Sequence, residues 1–178
     1  ASATASAGEP LDFQLAVRVH ATIQKGLAFL IAGQQADGGW EAFGKSNPAI
    51  TSLVVKALAQ DADYGANHPA VRRGLESILR HVQRDGGIYV DGEEMPNYHT
   101  SVALMALAAM KDSVLGARIA DAQAFLKKLQ WDEGEGHEAS SAWYGGAGYG
   151  KSKRPDLSNT QFMLEALHDS GLSADDPV

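Results

Sequence analysis

The sequence predicts an all-α protein built from three successive helical hairpins. Its clearest sign is an internal repeat with the first segments KGLAFLIAGQQADGGW at 25–40, RGLESILRHVQRDGGIY at 73–89 and AQAFLKKLQWDEGEG at 122–136. Each is followed by a second apolar segment: ITSLVVKALA, HTSVALMALAAM or NTQFMLEALHDSG. The step from Gly38 to Gly86 is 48 residues, and self-similarity with a period of about this length is typical of repeat architectures. No stretch alternates between apolar and polar residues as a half-buried strand does.

The two segments of each unit predict helices with different surroundings. The first has one apolar face at helical spacing, made by Leu27, Leu30 and Ile31, by Leu75, Ile78, Leu79 and Val82, and by Phe125, Leu126 and Leu129. The second is apolar all round, as in SVALMALAAM, which indicates a helix covered on every side. The predicted unit is therefore an amphipathic outer helix, a glycine turn and a buried inner helix.

Proline and polar residues mark where the inner helices begin. A proline precedes each inner segment, and a residue able to cap a helix lies nearby: Pro48, Pro96 and Pro155 with Asn47, Asn97 and Asp156. We expect units at about 12–62, 63–112 and 113–172, which together form the folded domain 12–178. Residues 1–11, all but three of them Ala, Ser, Thr or Gly, are expected to form a disordered arm.

Composition excludes several classes of partner. The net charge of −7 argues against nucleic acid or an anionic membrane surface, and no apolar run approaches the ~18–20 residues of a transmembrane segment. Cysteine is absent, so the chain has neither disulfides nor thiolate ligands, and no cofactor is expected. The sequence predicts a soluble protein, exported if the Ala/Ser-rich start is the remnant of a signal peptide.

GGAGYGKS at 145–152 matches the phosphate-loop pattern G-x-x-x-x-G-K-[ST] in every fixed position. Such a loop needs a buried strand before it and a helix that starts at its Lys-Ser pair. GHEASSAWY precedes Gly145 and is no strand, and Pro155 disfavours helix at Arg154. We therefore interpret the loop as a connector and expect no nucleotide to bind.

The segment at 25–40, with its Gln34 and Trp40, resembles the QW motif of the squalene cyclase and protein prenyltransferase superfamily. YGGAGYGKSKRPDLSNTQFMLEAL resembles the corresponding loop and inner helix, and the resemblance extends over 25–170. It implies an α/α toroid of which three hairpins, about half a ring, are present, with an apolar central cavity. The Gln and Trp would then tie an outer-helix end to the next inner-helix start, with Tyr89 in place of Trp in the second unit.

The chemistry implied by the resemblance is incomplete in this chain. Cyclases of this group use D-x-D-D-T to protonate an alkene, but the third unit has Asp156-Leu157-Ser158-Asn159-Thr160, with Ser158 at the position of the acid. Prenyltransferases hold zinc with Asp-x-Cys and the His of YHT. His99 matches that His, whereas Asn47-Pro48-Ala49 replaces the other pair. About three protein ligands are needed, so no metal site is expected at His99, which we interpret as a hydrogen-bonded histidine lining the inner-helix start.

Six residues are candidates to line a ligand site at the mouth of the toroid: Tyr98, His99, Trp143, Tyr144, Tyr149 and Asp156. Aromatic faces suit an isoprenoid or another apolar molecule, although the same rings are equally suited to packing the loop. The acidic loop with Asp132, Glu133, Glu135, His137 and Glu138 is interpreted as solvated rather than cation-binding.

Three functions remain open: part of a terpene cyclase, a non-catalytic binder of an apolar ligand, and a helical scaffold for protein–protein interaction. Three hairpins leave the concave face of an open half-ring in solvent. We therefore expect either the remainder of a longer chain or a second copy to close the toroid.

Overall fold

The computed structural model describes residues 12–42, 44–150 and 154–176, and these form six α-helices, two short 3-10 helices and one small hairpin. They divide into two compact units, one ending at Gly33 and the other beginning at Gln34. The all-α class is confirmed. The expected N-terminal arm at 1–11 lies outside the described residues.

The first unit is the helix α1, Phe13–Ala32, which Asp12 caps by accepting a hydrogen bond from the Gln14 N–H at 3.3 Å. Leu27 is its only residue with a buried side chain, and large apolar side chains at several other positions are exposed: Phe13, Leu15, Val17, Val19, Ile23 and Phe29. By length and composition alone α1 could cross a membrane, with a mean hydropathy of 1.3. A single helix of this kind near the N-terminus is weak support for a membrane span.

The second compact unit, from Gln34 onward, starts with a small hairpin and then alternates inner and outer helices. Two-residue strands β1 (Glu41–Ala42) and β2 (Lys45–Ser46) pair antiparallel. Strands this short leave no alternation in the sequence, so the pattern did not predict them. The helices are α2 (Pro48–Ala59), α3 (Pro69–Leu79), α4 (Pro96–Ala109), α5 (Gly116–Lys127) and α6 (Leu157–Asp169), with 3-10 turns at Ser113–Leu115 and Glu133–Glu135.

The inner helices lie side by side with α4 in the middle. α4 packs against α2 and α6, while the outer helices α3 and α5 pack on α2 and α4 respectively. The core around α4 includes Val102, Leu104, Met105, Leu126 and Met163. The helix pairs α1–α2, α3–α4 and α5–α6 fall inside the three expected units.

Two of the three expected helix caps are confirmed. Asn47 caps α2 by accepting from Ala49 N–H at 2.9 Å, and Asp156 caps α6 by accepting from Asn159 N–H at 2.9 Å. The prediction for Asn97 is wrong, because α4 starts at Pro96 and places Asn97 inside the helix. Its buried amide instead donates to the Gly148 carbonyl at 2.7 Å and so fastens the third loop to α4.

The middle inner helix is covered on every side by the described residues. All residues from Ser101 to Leu107 are buried, each at most 2% exposed. On α2, Lys56 reaches α6 and forms ion pairs with Glu165 at 3.4 Å and Asp169 at 3.0 Å, and its Nζ lies 3.1 Å from Met105 Sδ of α4. The expectation that SVALMALAAM forms a helix covered on every side is therefore confirmed.

Candidate functional site

Three glycine pairs form turns of the same design, one between the outer and inner helix of each unit. The first glycine of each pair has a left-handed backbone: Gly38 at φ +84°, Gly86 at +91° and Gly145 at +76°. The backbone N–H that follows each pair donates to a threonine hydroxyl of the inner helix: Trp40 to Thr51 at 2.9 Å, Ile88 to Thr100 at 3.0 Å and Ala147 to Thr160 at 2.9 Å. Gly145–Gly146 is thus the third copy of the turn. It is displaced along the chain by residues 131–144, which we call the inserted loop.

This equivalence corrects two sequence interpretations. The segment AQAFLKKLQWDEGEG predicts the third glycine turn at Gly134 and Gly136, but both lie in the inserted loop, where Gly136 ends a short 3-10 helix. The counterpart of Trp40 in the second unit is Ile88 rather than Tyr89, because Ile88 makes the bond to the inner-helix threonine. Tyr89 instead stacks on Phe125 and donates to Asp85 at 2.7 Å, and burial together with that bond raises its pKa to about 12.

The first two turns are closed by the outer helix of the next unit. A Cβ added to Gly38 would lie 2.5 Å from the Arg73 carbonyl oxygen on α3, and one added to Gly86 would lie 2.7 Å from that of Asp121 on α5. Only glycine therefore fits, both for its positive φ and for the close helix. The repeats are joined at these contacts.

Gln34 adds hydrogen bonds to the first of these joints. Its amide donates to the Gly38 carbonyl at 2.9 Å and to the Ala70 carbonyl of α3 at 2.8 Å, and its oxygen accepts from the Arg73 guanidinium. The resemblance implied that this glutamine reaches the next inner helix. It bonds to the next outer helix instead.

The third turn differs because no described outer helix covers it. Among the described residues a Cβ on Gly145 would approach only Gln130 Nε2, at 3.7 Å. An open groove of about 320 Å³ lies at this turn and is lined by Ala142, Trp143, Tyr144, Gly145, Gly146, Pro155, Asp156, Leu157 and Thr160. Three of the six predicted site residues, Trp143, Tyr144 and Asp156, therefore line one groove, which we take as the candidate functional site.

Aromatic rings hold the inserted loop beside this groove. Trp131 stacks on His137 with centroids 4.7 Å apart, and Trp143 meets Trp131 edge to face at 5.7 Å. The side chains of Trp143 and Tyr144 remain 43% and 39% exposed. The groove thus presents aromatic surface on a loop that is already ordered by its own packing.

Three acidic side chains of the loop form hydrogen bonds within it. Asp132 and Glu135 form a capping box on the 3-10 turn, and Glu133 accepts from the Tyr144 hydroxyl at 3.0 Å. This bond raises the pKa of Tyr144. No group of three or more His, Asp or Glu side chains in the described part of the chain is arranged to hold a metal ion.

Asp156 acts as a helix cap rather than as an acid. Its two carboxylate oxygens accept from the backbone and side-chain amide groups of Asn159 at 2.9 and 2.7 Å. The backbone bond lowers the pKa of Asp156. A carboxylate held ionised in this way is unsuited to protonating an alkene.

Tyr98 and His99 lie apart from the residues that line the groove. The side chain of His99 is 1% exposed, its Nε2 is 3.6 Å from Glu93 Oε2, and burial lowers its pKa despite the carboxylate. His99 Nδ1 has no hydrogen-bond partner among the described residues. Tyr98 packs edge to face on Phe162 at 5.2 Å.

Tyr149 contributes its backbone to this end of α4. Its carbonyl accepts from the Asn97 N–H at 2.9 Å, and its ring is 45% exposed. Asn159 occupies on α6 the place that His99 occupies on α4, directly before the bonded threonine, and its Oδ1 is likewise buried without a partner. The candidate residues therefore form two groups, the groove at the third turn and the starts of the inner helices.

The phosphate-loop match is explained by the repeat. Residues 136–144 contain no strand, and α6 begins at Leu157, beyond the reach of a loop that ends at Ser152. Gly145 is a turn glycine, and Gly150 packs against Pro96. Lys151 and Ser152 lie outside the described residues. The missing strand was predictable from sequence, whereas the role of Gly145 required the bond at Thr160.

No protein-family model matches the chain, and no curated protein matches it.

Proposed function

We propose that this chain is a helical repeat protein, similar to the squalene cyclase and prenyltransferase type, that binds a partner helix at its third turn. The observation that carries the proposal is the difference between the turns. Gly38 and Gly86 each receive the backbone of an outer helix, whereas the equivalent Gly145 borders an open groove with aromatic walls. The turn at Gly145 has the same backbone geometry as the two covered turns but is open, so it can receive a helix like those that cover Gly38 and Gly86.

Binding rather than catalysis fits the available side chains. Ser158 stands where the cyclase acid would be, and Asp156 is committed to capping. His99 has the Glu93 carboxylate beside it, but the described residues form no group of three metal-ligating side chains there. The described residues bury α4 completely from Ser101 to Leu107, so this stretch lines no open cavity. The surface at the third turn is therefore favoured over a central reaction chamber.

The test is an NMR titration with a peptide that has the sequence of α3 and its flanks, residues 67–82. In the folded chain α3 already packs on the first turn, and the proposal predicts that the free peptide binds the third. We expect saturable shifts at the backbone amides of Gly145 and Gly146, with smaller changes at Gly38 and Gly86.

A peptide carrying Gly74→Trp is the matched control. In α3 a Cβ at Gly74 already comes within 2.5 Å of Val55 and 3.1 Å of the Trp40 ring, so a bulky residue cannot pack against a turn of this design. Equal shifts with both peptides, or none with the native one, would refute the proposal.

A second candidate, binding of an apolar ligand that has a polar group, is favoured by the starts of the inner helices. His99 Nδ1 and Asn159 Oδ1 occupy equivalent positions, both buried and unpaired in the described structure, and the Tyr98–Phe162 pair lies on the same two helices. Buried polar atoms usually have a partner. Native mass spectrometry of the purified protein would detect a retained ligand, and His99→Phe would release it. A ligand-free spectrum counts against this candidate.

A further inference from the structure

The partner helix can be identified by comparing the outer helices at the 48-residue spacing of the first two turns. On α3 the turn of the preceding unit lies against Arg73, Gly74 and Ser77, and on α5 the corresponding residues are Asp121, Ala122 and Phe125. The same spacing places Lys25, Gly26 and Phe29 of α1 at these positions. A small residue recurs in the middle of all three sets. α1 therefore carries the face that receives a glycine turn.

Within its own compact unit that face of α1 is open. A side chain added at Gly26 would meet no described atom within 4 Å, and Phe29 is 78% exposed. Its counterpart Phe125 is 7% exposed and lies 2.9 Å from the position of a Cβ on Gly87. The chain thus has an open receiving face on α1 and an open turn at Gly145.

Among the described residues, the third turn has only part of the hydrogen bonds that the first turn has. Gln130 Nε2 donates to the Gly145 carbonyl at 3.2 Å, as Gln34 does to Gly38. At the first turn the outer helix supplies the rest, namely the Ala70 carbonyl and the Arg73 guanidinium. On α1 the equivalent groups are the Thr22 carbonyl and the Lys25 ammonium. The carbonyl and the cation of α1 therefore match those of α3 in type and spacing.

Charge favours the same pairing. α1 contains Arg18 and Lys25 and no acidic residue, whereas the loop before the third turn contains Asp132, Glu133, Glu135 and Glu138 and neither Lys nor Arg. Opposite charges across an interface steer association and fix its register.

We infer that α1 of a second copy packs on the third turn of the first, with Gly26 and Phe29 over Gly145–Gly146 and Lys25 beside Gln130. The inference rests on the proposed function and names its partner. The contact is heterologous, joining different faces of the two copies, so it gives a closed ring if the rotation closes and a chain of copies if it does not.

The test is sedimentation velocity of the 178-residue chain, whose monomer mass is 18.8 kDa. We expect concentration-dependent dimers or larger species, and we expect Phe29→Glu to remain monomeric. Phe13→Glu is the matched control, because Phe13 is as exposed at 75% but lies about 160° around the helix at ~100° per residue. It should assemble like the unaltered chain.

A mixing experiment tests the heterologous geometry. Ala142→Arg places a cation in the groove at an exposed position, where it repels basic α1, so this variant is also expected to be monomeric. Phe29→Glu retains an intact turn and Ala142→Arg retains an intact α1. Mixed, they should form a one-to-one dimer and nothing larger. Circular dichroism of each variant checks that it is folded.

Outcomes other than assembly separate the two proposals. A monomeric unaltered chain, or equal behaviour of Phe29→Glu and Phe13→Glu, overturns the self-assembly. If the α3 peptide still shifts Gly145 in the Phe29→Glu monomer, the helix-binding function stands and its partner is another protein or a further segment of a longer chain. If the chain stays monomeric and sediments with phosphatidylcholine vesicles, α1 has a membrane role instead and the inference is wrong.

Discussion

The second and third turns share one backbone design but differ in what surrounds them. Gly86 packs against α5, where a Cβ would lie 2.7 Å from the Asp121 carbonyl oxygen, whereas Gly145 faces the open groove. Both retain a positive φ, and both are followed by an N–H bonded to an inner-helix threonine. The turn is therefore specified locally by the glycine pair and the threonine, and the covering helix is a separate contribution. The following predictions test that separation.

The largest effect is expected at the covered glycines. Gly38→Ala and Gly86→Ala should each lower the free energy of unfolding by about 2–5 kcal/mol, since left-handed strain of about 1–2 kcal/mol adds to an overpacking cost of typically 1–3 kcal/mol. Gly145→Ala should cost only the strain, about 1–2 kcal/mol. Urea denaturation measures all three.

Gly26→Ala controls for the chemical change itself. Gly26 lies within α1 and faces open space, so alanine should stabilise the helix by about 0.5–1 kcal/mol. Equal destabilisation at Gly86 and Gly145 would mean that the outer helix contributes nothing to the requirement for glycine.

The inner-helix threonines should rank next. Thr51 and Thr100 are at most 1% exposed and each accepts a buried backbone N–H, so replacement by valine leaves that donor unsatisfied at a cost of about 1–3 kcal/mol. Thr160 is only partly buried and lines the open groove, so water can reach the place of its hydroxyl. We expect Thr160→Val to cost less than about 1 kcal/mol. A uniform loss across the three threonines would argue that the third turn is covered in solution.

The sequence predicted most of these helices because their signals are local. Apolar spacing revealed the outer helices, the all-apolar SVALMALAAM revealed the buried middle helix, and the Pro-linked caps at Asn47 and Asp156 were correctly located. The third turn was misplaced because the inserted loop contains glycines of its own at 134 and 136. Distinguishing them from Gly145 required the bond from Ala147 to Thr160, which the pattern of glycines does not show.

The site was only partly predictable for the same reason. Aromatic residues near a glycine turn pointed to Trp143 and Tyr144, both of which line the groove. The sequence groups Tyr98 and His99 with them because both groups lie near the start of an inner helix, but the two helices, α4 and α6, belong to different units. The role of Gln130 was missed, since its only sequence signal is its correspondence with Gln34, and the second unit has Val82 at that position.

A smaller and pH-dependent effect should separate the second unit from the third. Burial lowers the pKa of His99, with Glu93 opposing and His81 reinforcing the shift, and the pKa of His81 is lowered as well. A base with a depressed pKa in the folded state is protonated more readily when unfolded. Stability is therefore fully present above the unfolded value of about 6.5 and is lost as the pH falls below it.

Replacing His99 should flatten that dependence. We expect His99→Gln to lose less stability between pH 7.5 and 5.5 than the unaltered protein, as followed by urea denaturation at each pH. His81→Gln should show the same direction. The equivalent position on α6 carries Asn159, which does not titrate, so Asn159→Gln should leave the slope unchanged. A slope that survives the double replacement of both histidines would place the titration elsewhere.

Adding nucleotide should have no effect on the melting temperature, which makes this the smallest effect that we expect. If GGAGYGKS is a repeat turn followed by a connector, ATP or GTP with Mg²⁺ should leave the melting temperature unchanged, because the next described helix, α6, begins only at Leu157 and its N-terminal amides lie beyond the loop. Binding at one hundred times the dissociation constant would instead stabilise the fold by about 2.7 kcal/mol, which thermal denaturation detects easily. The same measurement on Lys151→Ala identifies the site of any response. A nucleotide-dependent rise that disappears in that variant would mean that Gly145 has a role which Gly38 and Gly86 lack, and that the three turns are not equivalent.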